Sequence, residues 1–299
     1  MMEEKIRKLA KKRNAVILAH NYQPPEIQDI ADLCGDSLEL SIKAAKTDAD
    51  VIVFCGVHFM AETAYILSPN KTVLLPRKDA GCPMADMVTP AGLTEKIKEM
   101  RDIPVVTYVN SPADVKALST ICCTSANALE VVASLDAEAV LMVPDRNLAQ
   151  NTAAKTDKKI YCWNGFCPIH DRLTVEEALE VKKKHPDALF MAHPECRPDV
   201  VALADVSLST SGMIRYAAES DHTSFIVGTE IGMLHPLKKA APDKIFIPAS
   251  EKMTCENMKK ISLEDIVHSL EALTPKITVP EAIRTKALTA VERMIELKS

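Results

Sequence analysis

The chain has 299 residues, 47% of them apolar and 26% charged, with a formal charge of −5. That balance is globular, with room for a large core; it offers no basic face for nucleic acid. No stretch reaches the roughly 18 consecutive apolar residues of a membrane span, so neither nucleic acid nor a membrane is an expected partner.

In chain order, residues 1–13 (MMEEKIRKLAKKR) read as a charged helix with no apolar signal core behind it. VILA (16–19) is a short buried strand ending at His20, followed by an amphipathic helix over Ser37–Lys46 and a second strand, VIVF (51–54), that turns at Gly56. A loop holds Cys82, and a helix runs from Thr89 to Arg101. The pattern then returns: VVTY (105–108), AVLMV (139–143) turning at Pro144, Cys167, and a helix over Thr174–His185. It returns once more as ALFMA (188–192), SFIVG (224–228), Cys255 and a helix over Ser262–Leu273. Short apolar strands alternating with helices indicate an α/β protein with parallel sheets.

The spacing is regular. Strand-end residues His20, Tyr108 and His193 recur 88 and then 85 residues apart, as do the hydroxyls Ser37, Ser125 and Thr210. Cys82, Cys167 and Cys255 recur at 85 and then 88, as do Thr89, Thr174 and Ser262. A period of this size exceeds that of solenoid repeats, about 20–50 residues. It predicts three homologous doubly wound, three-layer αβα domains arranged with pseudo-threefold symmetry around a central site. Their expected bounds are 1–84, 85–171 and 172–274, with a C-terminal helix within 275–299 packing on the first. Four strands per unit give twelve, which weighs against the rival eight-stranded barrel.

Nine cysteines, an odd number, without an export signal argue against a disulfide framework and for a cytoplasmic protein with metal-binding or catalytic thiols. Cys82, Cys167 and Cys255 alone recur, each in a loop after a strand; Cys34, Cys55, Cys122, Cys123, Cys162 and Cys196 have no repeat partner and read mostly as core. Three converging thiolates suit an iron–sulfur cluster with one open iron. Zinc with a water, or three separate buried cysteines, fit the same spacing.

Polar residues pair two apart at the strand ends: His20 with Tyr22, Tyr108 with Asn110, His193 with Glu195. A spacing of two in extended chain puts both side chains on one side, and these types serve general acid–base catalysis. Ser37, Ser125 and Thr210 read as helix N-caps whose N–H groups could also hold carboxylate or phosphate. No glycine-rich phosphate loop occurs.

The strings ILAHNYQ (17–23), DIADLCGDSLEL (29–40), GVHFMAE (56–62), CPMAD (82–86), YVNS (108–111), CTSANALEV (123–131), PDRNLA (144–149), CPIH (167–170), HPEC (193–196), GTEIGM (228–233) and CENMK (255–259) resemble the quinolinate synthase family in content and order across nearly the whole chain. The resemblance implies condensation of iminosuccinate with dihydroxyacetone phosphate to quinolinate, phosphate and water, on the route to NAD. It implies a [4Fe–4S] cluster on Cys82, Cys167 and Cys255. Substrate contacts fall on His20, Ser37, Tyr108, Asn110, Ser125, His193, Glu195 and Thr210. Glu195, Tyr22, Tyr108 and His193 are the implied catalytic residues, and the enzyme supplying iminosuccinate is a candidate partner. Two positions depart from the family pattern: Phe166, where many relatives have His, and CENM, which lacks a second cysteine.

Overall fold

A computed structural model describes residues 2–101 and 103–297. Its strands are β1 (Ala15–His20), β2 (Leu33–Gly35), β3 (Val51–Cys55), β4 (Thr72–Leu74), β5 (Val105–Tyr108), β6 (Ile121–Cys123), β7 (Ala139–Val143), β8 (Lys159–Cys162), β9 (Leu189–Ala192), β10 (Val206–Ser207), β11 (Ser224–Gly228) and β12 (Ile245–Pro248). They form three four-stranded sheets of identical order: β2-β1-β3-β4, β6-β5-β7-β8 and β10-β9-β11-β12. Every pairing between these strands is parallel, for example Leu18 against Phe54 in the first sheet and Val106 against Met142 in the second.

The central strands carry the apolar runs because helices cover them on both faces. All five residues of β3 and all four of β5 and β9 are buried. Edge strands are shorter or more open, and Ile245 on β12 is 60% exposed. In each sheet the order reverses between its first and third strands, and in open parallel sheets ligands bind at that switch point, beyond the strand C-termini. His20, Tyr108 and His193 stand at those ends.

Thr89, Thr174 and Ser262 cap the helices that follow, each hydroxyl accepting a backbone N–H three residues on. At Ser37, Ser125 and Thr210 the capping expectation is corrected. Asp36 and Ser209 are the caps, placing Ser37 and Thr210 at the first helical position, and the helix after Ser125 starts at Ala128. Cys162 is exposed rather than buried, while Cys55, Cys122, Cys123 and Cys196 are in the core.

The largest apolar core runs from the first sheet (Ile17, Val53) into the third (Met191, Val227), joining those units. The C-terminal chain serves two units. Ile277 donates its N–H to Val73 at the edge of the first sheet. The helix Glu281–Glu296 packs against both: Ala287 shares an apolar cluster with Ile66 of the first unit, and Ala290, Val291 and Met294 lie in the core of the second.

Candidate active site

A cavity of about 540 Å³ opens where the three sheets converge, within the range of small-molecule sites. Among its lining residues are His20, Tyr22, Ser37, Tyr108, Asn110, Ser125, His193, Glu195 and Thr210, together with Cys82, Cys167 and Cys255. Every site residue expected from the sequence therefore faces one space.

The two histidines are held alike. The N–H of Tyr22 donates to His20 Nδ1 at 3.1 Å, and the N–H of Glu195 donates to His193 Nδ1 at 3.3 Å. The chain thus turns after each histidine rather than running on extended, yet both members of each pair still reach the cavity. With Nδ1 accepting, the ring proton sits on Nε2. Burial depresses both imidazoles to about 3, with Glu195 opposing the shift. They are neutral N–H donors.

The third strand end differs. Tyr108 donates its hydroxyl to Glu195 Oε1 at 2.6 Å, and Asn110 Nδ2 approaches the same oxygen at 3.4 Å. Burial works against the Glu195 carboxylate, but His170, His193 and the Tyr108 hydroxyl outweigh it and hold the carboxyl below its usual range. Burial also raises both Tyr22 and Tyr108 well above the ordinary phenol.

His170 is the residue that sequence reasoning left out, although it ends the CPIH string. It is 1% exposed and its Nδ1 lies 2.7 Å from Glu195 Oε2 and 3.2 Å from Cys167 Sγ. On its other side Nε2 meets Thr229 Oγ1 at 2.8 Å, and Thr229 meets the Tyr22 hydroxyl at 2.7 Å. A chain of polar contacts therefore runs Tyr22–Thr229–His170–Glu195–Tyr108. His170 has no counterpart in the other units, so the repeat could not point to it.

Glu230, fully buried, accepts the N–H of Cys255 at 3.0 Å and of Gly232 at 2.7 Å, and pairs with Lys259 at 3.0 Å. Gly165 passes so close to the Pro144 carbonyl that a Cβ would sit 2.5 Å from its oxygen, so only glycine fits there. Phe166 lies under the Arg146 guanidinium, 4.3 Å from its ring centroid.

The donor set fits a soft metal group. Three half-buried cysteines, one from each unit, line the same cavity, and burial pushes all three thiols up, Cys82 to about 12. As thiolates they require a cation beside them. Cys167, His170 and Glu195 also offer S, N and O atoms within 4.8 Å of one another.

A family model described as "Quinolinate synthetase A protein" matches residues 4–296. The chain belongs to the quinolinate synthetase A family. It is 58% identical over 296 residues to a quinolinate synthase of Geobacter metallireducens, covering 99% of this chain and 97% of that one. It is 56% identical over 295 residues to "Quinolinate synthase 1" of Methanosarcina acetivorans, with 99% and 97% covered. A quinolinate synthase of Dehalococcoides mccartyi is 56% identical over 297 residues, with 99% and 98% covered. The family's members are enzymes, and the chain is one of them. No helix among the described residues is long and apolar enough to cross a membrane.

Proposed function

We propose that the chain condenses iminosuccinate with dihydroxyacetone phosphate to give quinolinate, phosphate and water in NAD biosynthesis. Family membership and relatives named quinolinate synthase support the activity. The observation that carries the chemistry is the convergence of donors for two anionic substrates on one cavity.

His20 and His193 present Nε2–H to carboxylate or carbonyl oxygen. Ser37 and Thr210 stand at helix starts where N–H groups favour anions. Thr210 Oγ1 accepts from Asn21 Nδ2 at 3.0 Å, so its own O–H is free to turn into the cavity. Asn110 Oδ1 is buried and without a partner, an acceptor waiting for a substrate N–H or O–H. Holding both reactants in this space makes their encounter effectively unimolecular.

The enamine carbon of iminosuccinate forms a bond to the triose carbon, and phosphate leaves with the bonding pair. Ketone-to-aldehyde isomerisation then needs a proton taken from one carbon and returned to its neighbour. Glu195 with Tyr108 does this directly, while Tyr22 connects to the same carboxylate through Thr229 and His170. The substrate nitrogen closes the ring on the aldehyde with loss of one water, and the remaining hydroxyl leaves as a second water to give the aromatic ring. A [4Fe–4S] cluster on Cys82, Cys167 and Cys255 would supply an open iron as Lewis acid for a hydroxyl, carbonyl or nitrogen.

A single metal ion on Cys167, His170 and Glu195 is the second reading, favoured by their mutual closeness. Against it, the Glu195 oxygens and both His170 nitrogens already have hydrogen-bond partners. Iron and sulfide analysis after anaerobic purification separates the two. About four of each per chain, lost in Cys82→Ser, Cys167→Ser and Cys255→Ser and kept in Cys196→Ser, supports the cluster; one metal without sulfide supports the ion. For the acid–base role, Glu195→Gln should cut turnover by about 10² or more with substrate binding kept. Near-normal turnover removes Glu195 from the mechanism.

A further inference from the structure

Beside the central cavity lies a second one of about 280 Å³, between the second and third units. Ser125 lines both. The second cavity is built from the loops after β6 and β10, the start of the helix Thr210–Glu219 and the helix Arg146–Ala153.

Its polar groups are lopsided toward donors. Asn127 is 1% exposed, and its Oδ1 is fully engaged, accepting the N–H of Thr124 at 2.7 Å and its hydroxyl at 3.1 Å. That fixes the amide's orientation, and its Nδ2 is left buried with no partner. Ser207 Oγ, from β10, is likewise buried without one. Both residues line this cavity, and two cations, Lys155 and Arg215, stand at it. Arg215 reaches Glu39 only at 3.7 Å on the surface, a weak claim on its charge. Glu130 is the one acidic residue lining the cavity, so the formal balance is positive. A buried amide N–H left unpaired costs free energy that an incoming acceptor recovers.

We infer that this side cavity is a binding site for a small oxyanion of the phosphate class, held by Asn127 Nδ2, the Ser207 hydroxyl, Lys155 and Arg215. Through Ser125 it adjoins the space where the proposed reaction releases phosphate, which gives the site a use as a holding place for that product. The choice of phosphate rests on the proposed reaction; the site itself rests on its unpaired donors and cations.

The test is equilibrium binding of inorganic phosphate to the metal-loaded protein, by calorimetry or phosphorus NMR, with no turnover involved. Two phosphates per chain are expected, one central and one lateral. Asn127→Asp keeps the acceptor that Thr124 needs and replaces the unpaired N–H with a second oxygen. It should weaken the lateral site by roughly tenfold or more, since a donor becomes a like charge, and leave the central one. Ser207→Ala, which removes a hydroxyl without touching the Thr124 contacts, should weaken it in the same direction. A single phosphate per chain in the unaltered protein, or two that both variants leave unchanged, overturns the site. Should the lateral site bind while turnover with the two proposed substrates is absent, the site stands and the reaction assignment falls.

Discussion

At His20 and His193 a local backbone turn decides the chemistry. Each ring accepts an N–H from two residues on, so each is locked as an Nε2–H donor, and burial keeps it neutral down to about pH 3. An unfolded chain would bind those protons near pH 6.5. Between the two values the unfolded state holds more protons than the folded one, so stability must rise with pH across that window and be complete above it. Each imidazole adds a slope of about 1.4 kcal/mol per pH unit inside the window. Urea unfolding of the metal-free protein should therefore show a midpoint that drops from about pH 7 to about pH 5. His20→Gln should make that drop shallower. An unaltered slope would mean that His20 is already protonated in the folded chain.

At the scale of the element, hydroxyls that look equivalent in the sequence divide by what precedes them. Thr174 caps its helix with a reciprocal Glu177 contact, and Thr174→Ala should cost about 1 kcal/mol in thermal or urea unfolding. Ser37 lies one residue inside a helix that Asp36 caps. Ser37→Ala should leave stability within about 0.5 kcal/mol and instead raise the KM for substrate. A stability loss matching that of Thr174→Ala would restore Ser37 to the capping role. The sequence pattern misplaced this cap because Asp36 and Ser209 are themselves good caps standing directly before the repeating hydroxyls. The same pattern found the two central strands of each sheet and passed over the named edges β2, β6 and β10. A strand of two or three residues is too short to carry a periodic signal, even where it is fully buried as at β6. The cysteines and strand-end pairs were legible because threefold repetition marked them. His170, Thr229, Glu230 and Lys259 were not, because no repeat singles them out and only folding brings His170 and Glu230 to the cavity and sets Thr229 and Lys259 behind them. Glu230 matters to the element that presents Cys255. Glu230→Ala would leave the Cys255 N–H without its acceptor and the Lys259 ammonium with the Tyr22 carbonyl but no counter-charge, and should lower iron content with helical circular dichroism kept.

The molecule as a whole has three sheets whose switch points meet, and no single unit owns the site. Each proposed ligand cysteine comes from a different unit, and each thiol is costly to ionise without a cation beside it. A group bound by all three ties the units together, and binding to the folded state alone stabilises it by mass action. The loaded protein should melt at a higher temperature than the protein stripped by a chelator. Because three separate units must reach the same inorganic core, the increment should be all-or-none in its dependence on them. Cys82→Ser, Cys167→Ser and Cys255→Ser should each abolish the whole of it, and each variant should melt where the stripped protein does. A variant that keeps most of the increment would show that its unit contributes no ligand, and that the group is held between two units rather than three.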